Sequence, residues 1–259
     1  MTRMVGKSVL AAFSLFSRIP TPRVEWDEDT MRYLMCALPL VGFVVGVLSA
    51  AWAWFSTFAG LGSIAFAVGL TVIPIAVTGG IHLDGFVDVV DALASHAEPE
   101  RKRQILKDPH IGSFAIIGFV VYILLYVGCS SELRVNDAMV LGLLCLLPIL
   151  SRVCAGIAAL AFPRNASEGM LFMFQKSARK EKGLVVLGIE FVACVAALIA
   201  LRPVAGVAMV LGSLVVGACL YRMAMRQFGG INGDLAGFYV QVGELVMLAC
   251  LVVSEAIVL

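Results

Sequence analysis

Asp84, Asp88 and Asp91 stand four and three residues apart in the stretch Gly79-Gly80-Ile81-His82-Leu83-Asp84-Gly85-Phe86-Val87-Asp88-Val89-Val90-Asp91. If the stretch from Gly80 is helical, that spacing sets all three carboxylates on one face. Three like charges on one face repel, and a cation among them relieves the repulsion. Oxygen-only ligands favour a hard ion, Mg2+ or Mn2+. A solvated polar face is the competing reading; against it stands the position of the cluster, beside apolar segments long enough to cross a bilayer. His82 adds an imidazole to the same stretch, either as a proton acceptor or hydrogen-bond donor or as a helix cap.

The elements that must position these residues are membrane helices. A chain of 259 residues with 61% hydrophobic and 14% charged content, and a mean hydropathy of +0.98, is too apolar for an ordinary soluble enzyme. The hydropathy pattern predicts an all-α polytopic bundle forming one domain over residues 1–259, with about seven spans (six to eight): 33–58, 61–78, 114–129, 138–162, 184–201, 204–221 and 238–259. Residues 1–32 read as an interfacial segment: the apolar run Val9 to Phe16 is too short to span, no small-residue cleavage pattern follows it, and Pro20 ends it. Its arginines, Arg18 among them, face either lipid phosphates or an anionic substrate. Gly42, Gly46, Ser49 and Ala53 recur at roughly helical spacing, which predicts close approach of another helix. The seven cysteines form no C-x-x-C pair, so neither a zinc site nor a disulfide framework is suggested.

Further polar groups interrupt the apolar pattern. Lys107-Asp108-Pro109-His110-Ile111-Gly112-Ser113 breaks the chain just before the third span, as a plain re-entry turn or as a presenter of backbone amides and Lys107 to phosphate. Arg152 and Glu190 fall inside spans, where an unpaired guanidinium is costly and calls for a carboxylate, a bound phosphate or escape to the surface. Glu244 lies one to two turns into the last span. A second Gly-Gly element, Gly229-Gly230-Ile231-Asn232-Gly233-Asp234, again leads from a span to a carboxylate.

Charge sorting gives an orientation. Of the 19 Lys and Arg, all but Arg134, Arg152 and Arg202 fall before the first span or between spans two and three, four and five, or six and seven. The positive-inside rule then places residues 1–32 and the loops 79–113, 163–183 and 222–237 in the cytoplasm. All the candidate chemistry thus shares one compartment, which suits an enzyme acting on charged cytosolic substrates.

The motif from Gly79 to Asp91 resembles the signature of the cobalamin synthase family, the adenosylcobinamide-GDP ribazoletransferases. The likeness extends over most of the chain: Phe16-Ser17-Arg18-Ile19-Pro20-Thr21-Pro22, Leu106-Lys107-Asp108-Pro109-His110-Ile111-Gly112, Ser151-Arg152, and Gly229 to Asp234 with Gly243-Glu244-Leu245 are similar to further family blocks in the same order. This sequence has Ala92 where a glycine, His110 where an arginine and Asn232 where a threonine is usual; no carboxylate is lost, and an arginine clamp on phosphate becomes an imidazole.

The resemblance implies a Mg2+-dependent transfer (Mn2+ as the alternative ion) that joins adenosylcobinamide-GDP to alpha-ribazole or alpha-ribazole 5'-phosphate, giving adenosylcobalamin or its 5'-phosphate and GMP, in a bacterial inner membrane. The metal ligands implied are Asp84, Asp88 and Asp91, and the catalytic groups Asp234, His82, Lys107 and Arg152. Arg18, Asp108, His110, Asn232 and Glu244 are implied at the bound substrates. Membrane lipids surround such a protein, nucleic acid is not a partner, and the oligomeric state is left open, a homo-oligomer included. The aspartate motif is also similar to that of CDP-alcohol phosphotransferases and implies a related architecture. A phospholipid-making member of that group is the alternative function, but Phe86-Val87 stands where its Ala-Arg would follow Asp-Gly. A transporter would need broken helices near midplane, whereas the polar clusters here gather at one face.

Overall fold

Apolar helices of about 20 residues or more dominate the fold, as the composition requires. The computed structural model describes residues 2–135, 137–164 and 180–258, so most of the loop expected at 163–183 lies outside the described residues. The described elements are all helical: α1 (Thr2–Phe16), α2 (Glu28–Met31), α3 (Leu34–Phe58), α4 (Ser63–Thr78), α5 (Ile81–Ala94), α6 (Pro99–Ile105), α7 (Ser113–Glu132), α8 (Ala138–Ala161), α9 (Lys180–Leu201), α10 (Pro203–Met223) and α11 (Gly233–Val258). One isolated backbone pairing joins Arg164 to Ile231.

Six of these helices (α3, α7, α8, α9, α10 with its π-helical extension, and α11) are long and apolar enough to cross a membrane. The span expected at 61–78 is the exception. Helix α4 has only 16 residues, and the chain turns by 99° before continuing as α5. The turn is made at Gly79 and Gly80, whose φ values of 64° and 79° lie in the left-handed region that costs glycine little. The motif helix therefore takes a new direction, and α4 and α5 together form a bent pair that brings the number of spans to seven if it is counted as one.

The last span also differs from the expected 238–259: α11 begins at Gly233, because Asn232 Oδ1 accepts the amide of Leu235 at 2.9 Å and caps the helix. Helix α10 continues into a π-helical turn, Ala224–Phe228. The loop expected over 222–237 thus shrinks to residues 229–232, and Asp234 sits on a helix.

The core is built on α3 against α8. The small residues of α3 do what their spacing suggests: Gly42, Gly46, Ser49 and Ala53 are buried, and a Cβ at Gly46 would stand 2.1 Å from the carbonyl oxygen of Cys145 on α8. No side-chain rotation relieves contact with a backbone atom. At the end of the bundle away from α5, Arg202 pairs with Asp137 and Glu255, tying the starts of α8 and α10 to the end of α11.

Gly46→Ala should therefore destabilise the detergent-solubilised protein by about 1–3 kcal/mol. Gly128→Ala, where a Cβ meets nothing within 4 Å, should leave stability unchanged or slightly raised. Thermal unfolding of both variants checks the contrast.

Candidate active site

The acidic face expected on α5 forms. His82, Leu83, Gly85, Phe86, Val89 and Ala92 make the buried side of the helix, which leaves Asp84 exposed and Asp88 and Asp91 half-buried. The buried side rests on α11 and α7 through Phe86, which stacks on Phe238 at 5.5 Å and meets Tyr122 at 5.0 Å. Helices α5 and α11 approach so closely that a Cβ at Gly85 would stand 2.8 Å from Cα of Asp234, and one at Gly237 would stand 2.9 Å from the carbonyl oxygen of His82. That contact brings the carboxylate of the second Gly-Gly element to those of the first. Asn232 Nδ2 donates to Asp234 Oδ2 at 2.9 Å, so the residue that caps α11 also orients the acid.

The electrostatics of the cluster follow. Burial, and then the negative charges of Asp84, Asp234 and Asp91, push the Asp88 carboxyl up to about 6. Asp91 is partly committed elsewhere: its Oδ1 accepts the amide of Ala115 at 3.2 Å and so caps α7, whose N-cap Gly112 has no side chain to do so. Among the described residues no three His, Cys, Asp or Glu side chains already converge to ligating geometry. The acids are gathered but not closed around a point. An oxygen-only donor set whose like charges repel one another fits a hard divalent cation that draws the carboxylates inward.

Two cavities meet at Asp84. The larger, about 700 Å³, is lined by Arg18, Gly79, Gly80, Asp84 and the apolar Ile111, Ile116 and Phe119. Arg18 is held there by its amide, which donates to the carbonyl of Val77 at 2.8 Å, and its side chain covers Gly79 closely enough that a Cβ would clash. The smaller, about 320 Å³, is lined by Asp84, Asp234, His82 and Phe16 together with apolar residues of α3 and α8. His82 stacks on Phe16 at 6.0 Å, and its buried Nδ1 has no partner among the described residues.

Other sequence-selected residues lie elsewhere. Asp108 accepts both the amide and the ring Nδ1 of His110, at 3.0 and 2.7 Å, in an exposed turn shared with Lys107; the His110 hydrogen bonds hold the Asp108 carboxyl below its usual range. Among the described residues no hydrogen bond or ion pair joins this turn's side chains to Asp84, Asp88 or Asp234. Arg152 is fully buried and pairs with Glu244, whose Oε1 also accepts the Ser151 hydroxyl at 2.9 Å. Of the partners the sequence offered Arg152, the structure supplies the Glu244 carboxylate, while Glu190, half-buried on α9, makes no ion pair among the described residues. Sequence reading missed the basic residues Lys102 and Arg103, which hold Gln227 and the Phe228 carbonyl beside the second motif; only their place in a polar loop signalled them.

A bundle of membrane-length helices with an acidic, doubly open site at one end defines a polytopic membrane protein. The chain matches the model of the cobalamin-5-phosphate synthase (CobS) family over residues 8–252, and it belongs to that family. It is 37% identical over 257 residues to a protein of Lachnoclostridium phytofermentans named adenosylcobinamide-GDP ribazoletransferase, covering 97% of this chain and 95% of the relative. Proteins of the same name from Clostridium botulinum and Geobacillus kaustophilus are each 32% identical; the first match covers 95% of this chain and 97% of the relative, the second 92% of each. No solved structure matches the chain, and the likeness to CDP-alcohol phosphotransferase architecture rests on the aspartate motif alone.

Removing one partner of the buried pair should be costly. Glu244→Gln is expected to destabilise by about 3–5 kcal/mol, because it strands a desolvated guanidinium. The double variant Arg152→Met/Glu244→Leu should recover most of that loss. Thermal unfolding of the three proteins checks it.

Proposed function

We propose that this chain is an adenosylcobinamide-GDP ribazoletransferase, joining adenosylcobinamide-GDP to alpha-ribazole or its 5'-phosphate at the end of cobalamin assembly. The observation that carries the reading, beyond family membership, is that Asp84 forms a wall of two separate cavities. Two cavities sharing one carboxylate would let two substrates approach one set of acids from different sides. The larger, more open cavity, lined by Arg18, Ser17, Thr78 and Asp84 beside apolar side chains, suits the nucleotide end of the bulky corrinoid. The smaller suits the ribazole.

In the transfer, the ribazole hydroxyl oxygen bonds to the corrinoid-side phosphorus, the bond from that phosphorus to the bridging oxygen breaks, and GMP departs with that oxygen. We assign Asp84, Asp88 and Asp91 to hold Mg2+, with Mn2+ as an alternative; the ion, when bound, neutralises charge on the pyrophosphate oxygens. Arg18 orients the phosphates from the larger cavity. Asp234, kept in place by Asn232, completes the acidic set or accepts the hydroxyl proton, and His82 faces the same small cavity with a free ring nitrogen. Lys107, Asp108 and His110 reach the substrates from the exposed turn, while Arg152 and Glu244 act from the core by fixing α8 against α11. The sorting of Lys and Arg supports a cytoplasmic orientation of this acidic end in a bacterial inner membrane.

Purified protein in liposomes, given adenosylcobinamide-GDP and alpha-ribazole, should release GMP and form a cobalamin in equal amounts. Chelation of divalent ions should stop both, and Asp88→Asn should slow turnover by about 100-fold or more. CMP release from a CDP-alcohol and a lipid acceptor, with no corrinoid product, would move the protein to the phospholipid branch instead.

A further inference from the structure

The acidic site has a basic counterpart that the transfer does not use. Where α6 meets the π-helical extension of α10, a cavity of about 410 Å³ is lined by His96, Lys102, Arg222, Arg226 and Gln227, and no carboxylate lines it. Arg222 and Arg226 are exposed, and neither makes an ion pair or hydrogen bond to another described residue. Lys102 is only 6% exposed, yet its ammonium is met by a neutral group, the side-chain oxygen of Gln227. A buried cation is ordinarily paired with a charge, because taking an ammonium out of water is costly and an amide oxygen only partly offsets the loss. His96, beside it, holds a left-handed φ of 51°, the only non-glycine positive φ among the described residues. The extension itself is a π-helical turn, a geometry that recurs at functional sites.

From this we propose that the cleft between α6 and the end of α10 is a phosphate-binding site, separate from the carboxylate site and filled by a phosphate monoester or diester anion. Lys102 supplies a point charge at the base of the cleft, and Arg222 and Arg226 close two guanidinium forks over the anion at its mouth. Its position gives it a consequence for the acidic site. Gln227 and Phe228, gripped by Lys102 and Arg103, lie just before the loop 229–232 that ends at the cap of Asp234. An anion drawing α6 and the extension together would steady that loop. The phosphate belongs either to a free ligand or to the headgroup of an anionic lipid, and the two are separable by experiment.

The test uses the full chain in detergent with divalent ions chelated, so that the acidic site is silent. Inorganic phosphate is titrated at constant ionic strength against chloride, and phosphatidylglycerol is titrated in mixed micelles against phosphatidylcholine, with thermal stability as the readout. Saturable stabilisation by phosphate assigns the site to a free ligand; stabilisation by phosphatidylglycerol alone assigns it to a lipid headgroup. In either case Arg222→Gln/Arg226→Gln, both at exposed positions and expected to fold normally, should weaken the response about tenfold or more while leaving the ligand-free stability unchanged. A wild type that responds to neither anion, or a double variant that responds as the wild type does, overturns the proposal.

Discussion

The acidic end of this protein depends on one contact, the packing of Gly85 against the backbone of Asp234. Helices α5 and α11 are separated by more than a hundred residues of chain, and each carries its carboxylate just after a glycine pair. Any side chain at Gly85 would push the two apart, and the acids would belong to two surfaces. With the glycine in place they share one field, and burial plus mutual repulsion raise Asp88 to about 6. Carboxylates held in this state favour a cation more strongly than solvated ones, since binding relieves repulsion already built into the fold.

Such a contact holds only if the helices behind it do not shift. Two features of the core secure them. Helix α3 presses its small residues onto α8, and α8 is joined to α11 by the buried Arg152–Glu244 pair with Ser151. An ion pair of this kind adds little net stability compared with well-packed apolar side chains, but it fixes which partner and register are allowed. Helix α11 is thereby anchored in its middle by charge, near its start by Phe238 on Phe86, and at its far end by Glu255 with Arg202.

Much of this was legible in the sequence because membranes impose simple rules. Span lengths follow from bilayer thickness, and the i, i+4, i+7 spacing of the aspartates followed from helix geometry; both appear in the fold. The errors lie where local chemistry overrides hydropathy. Residues 61–78 read as a straight, complete span; the helix does run from 63 to 78, but two left-handed glycines then bend the chain by 99° into α5, so it crosses only as part of a broken pair. Residues 222–237 read as a loop because Arg222, Arg226 and the polar, glycine-bearing stretch from Gly229 to Gly237 interrupt the apolar pattern, but the Asn232 cap starts the last helix inside that stretch. Which carboxylate would meet Arg152 was undecidable from spacing, since Glu190 and Glu244 sit on different spans and only the packing of α8 on α11 chooses. The capping of α7 by Asp91 had no sequence signal beyond the missing side chain at Gly112.

The central claim, that the carboxylates of α5 and α11 form one cation site, is tested most directly by titrating the purified protein with Mn2+ and following free ion by electron paramagnetic resonance. Saturable binding that is weakened about tenfold or more both by Asp84→Asn on α5 and by Asp234→Asn on α11 is the expected result. Binding that survives both substitutions unchanged, or that is lost with one helix's acid and indifferent to the other's, would contradict it.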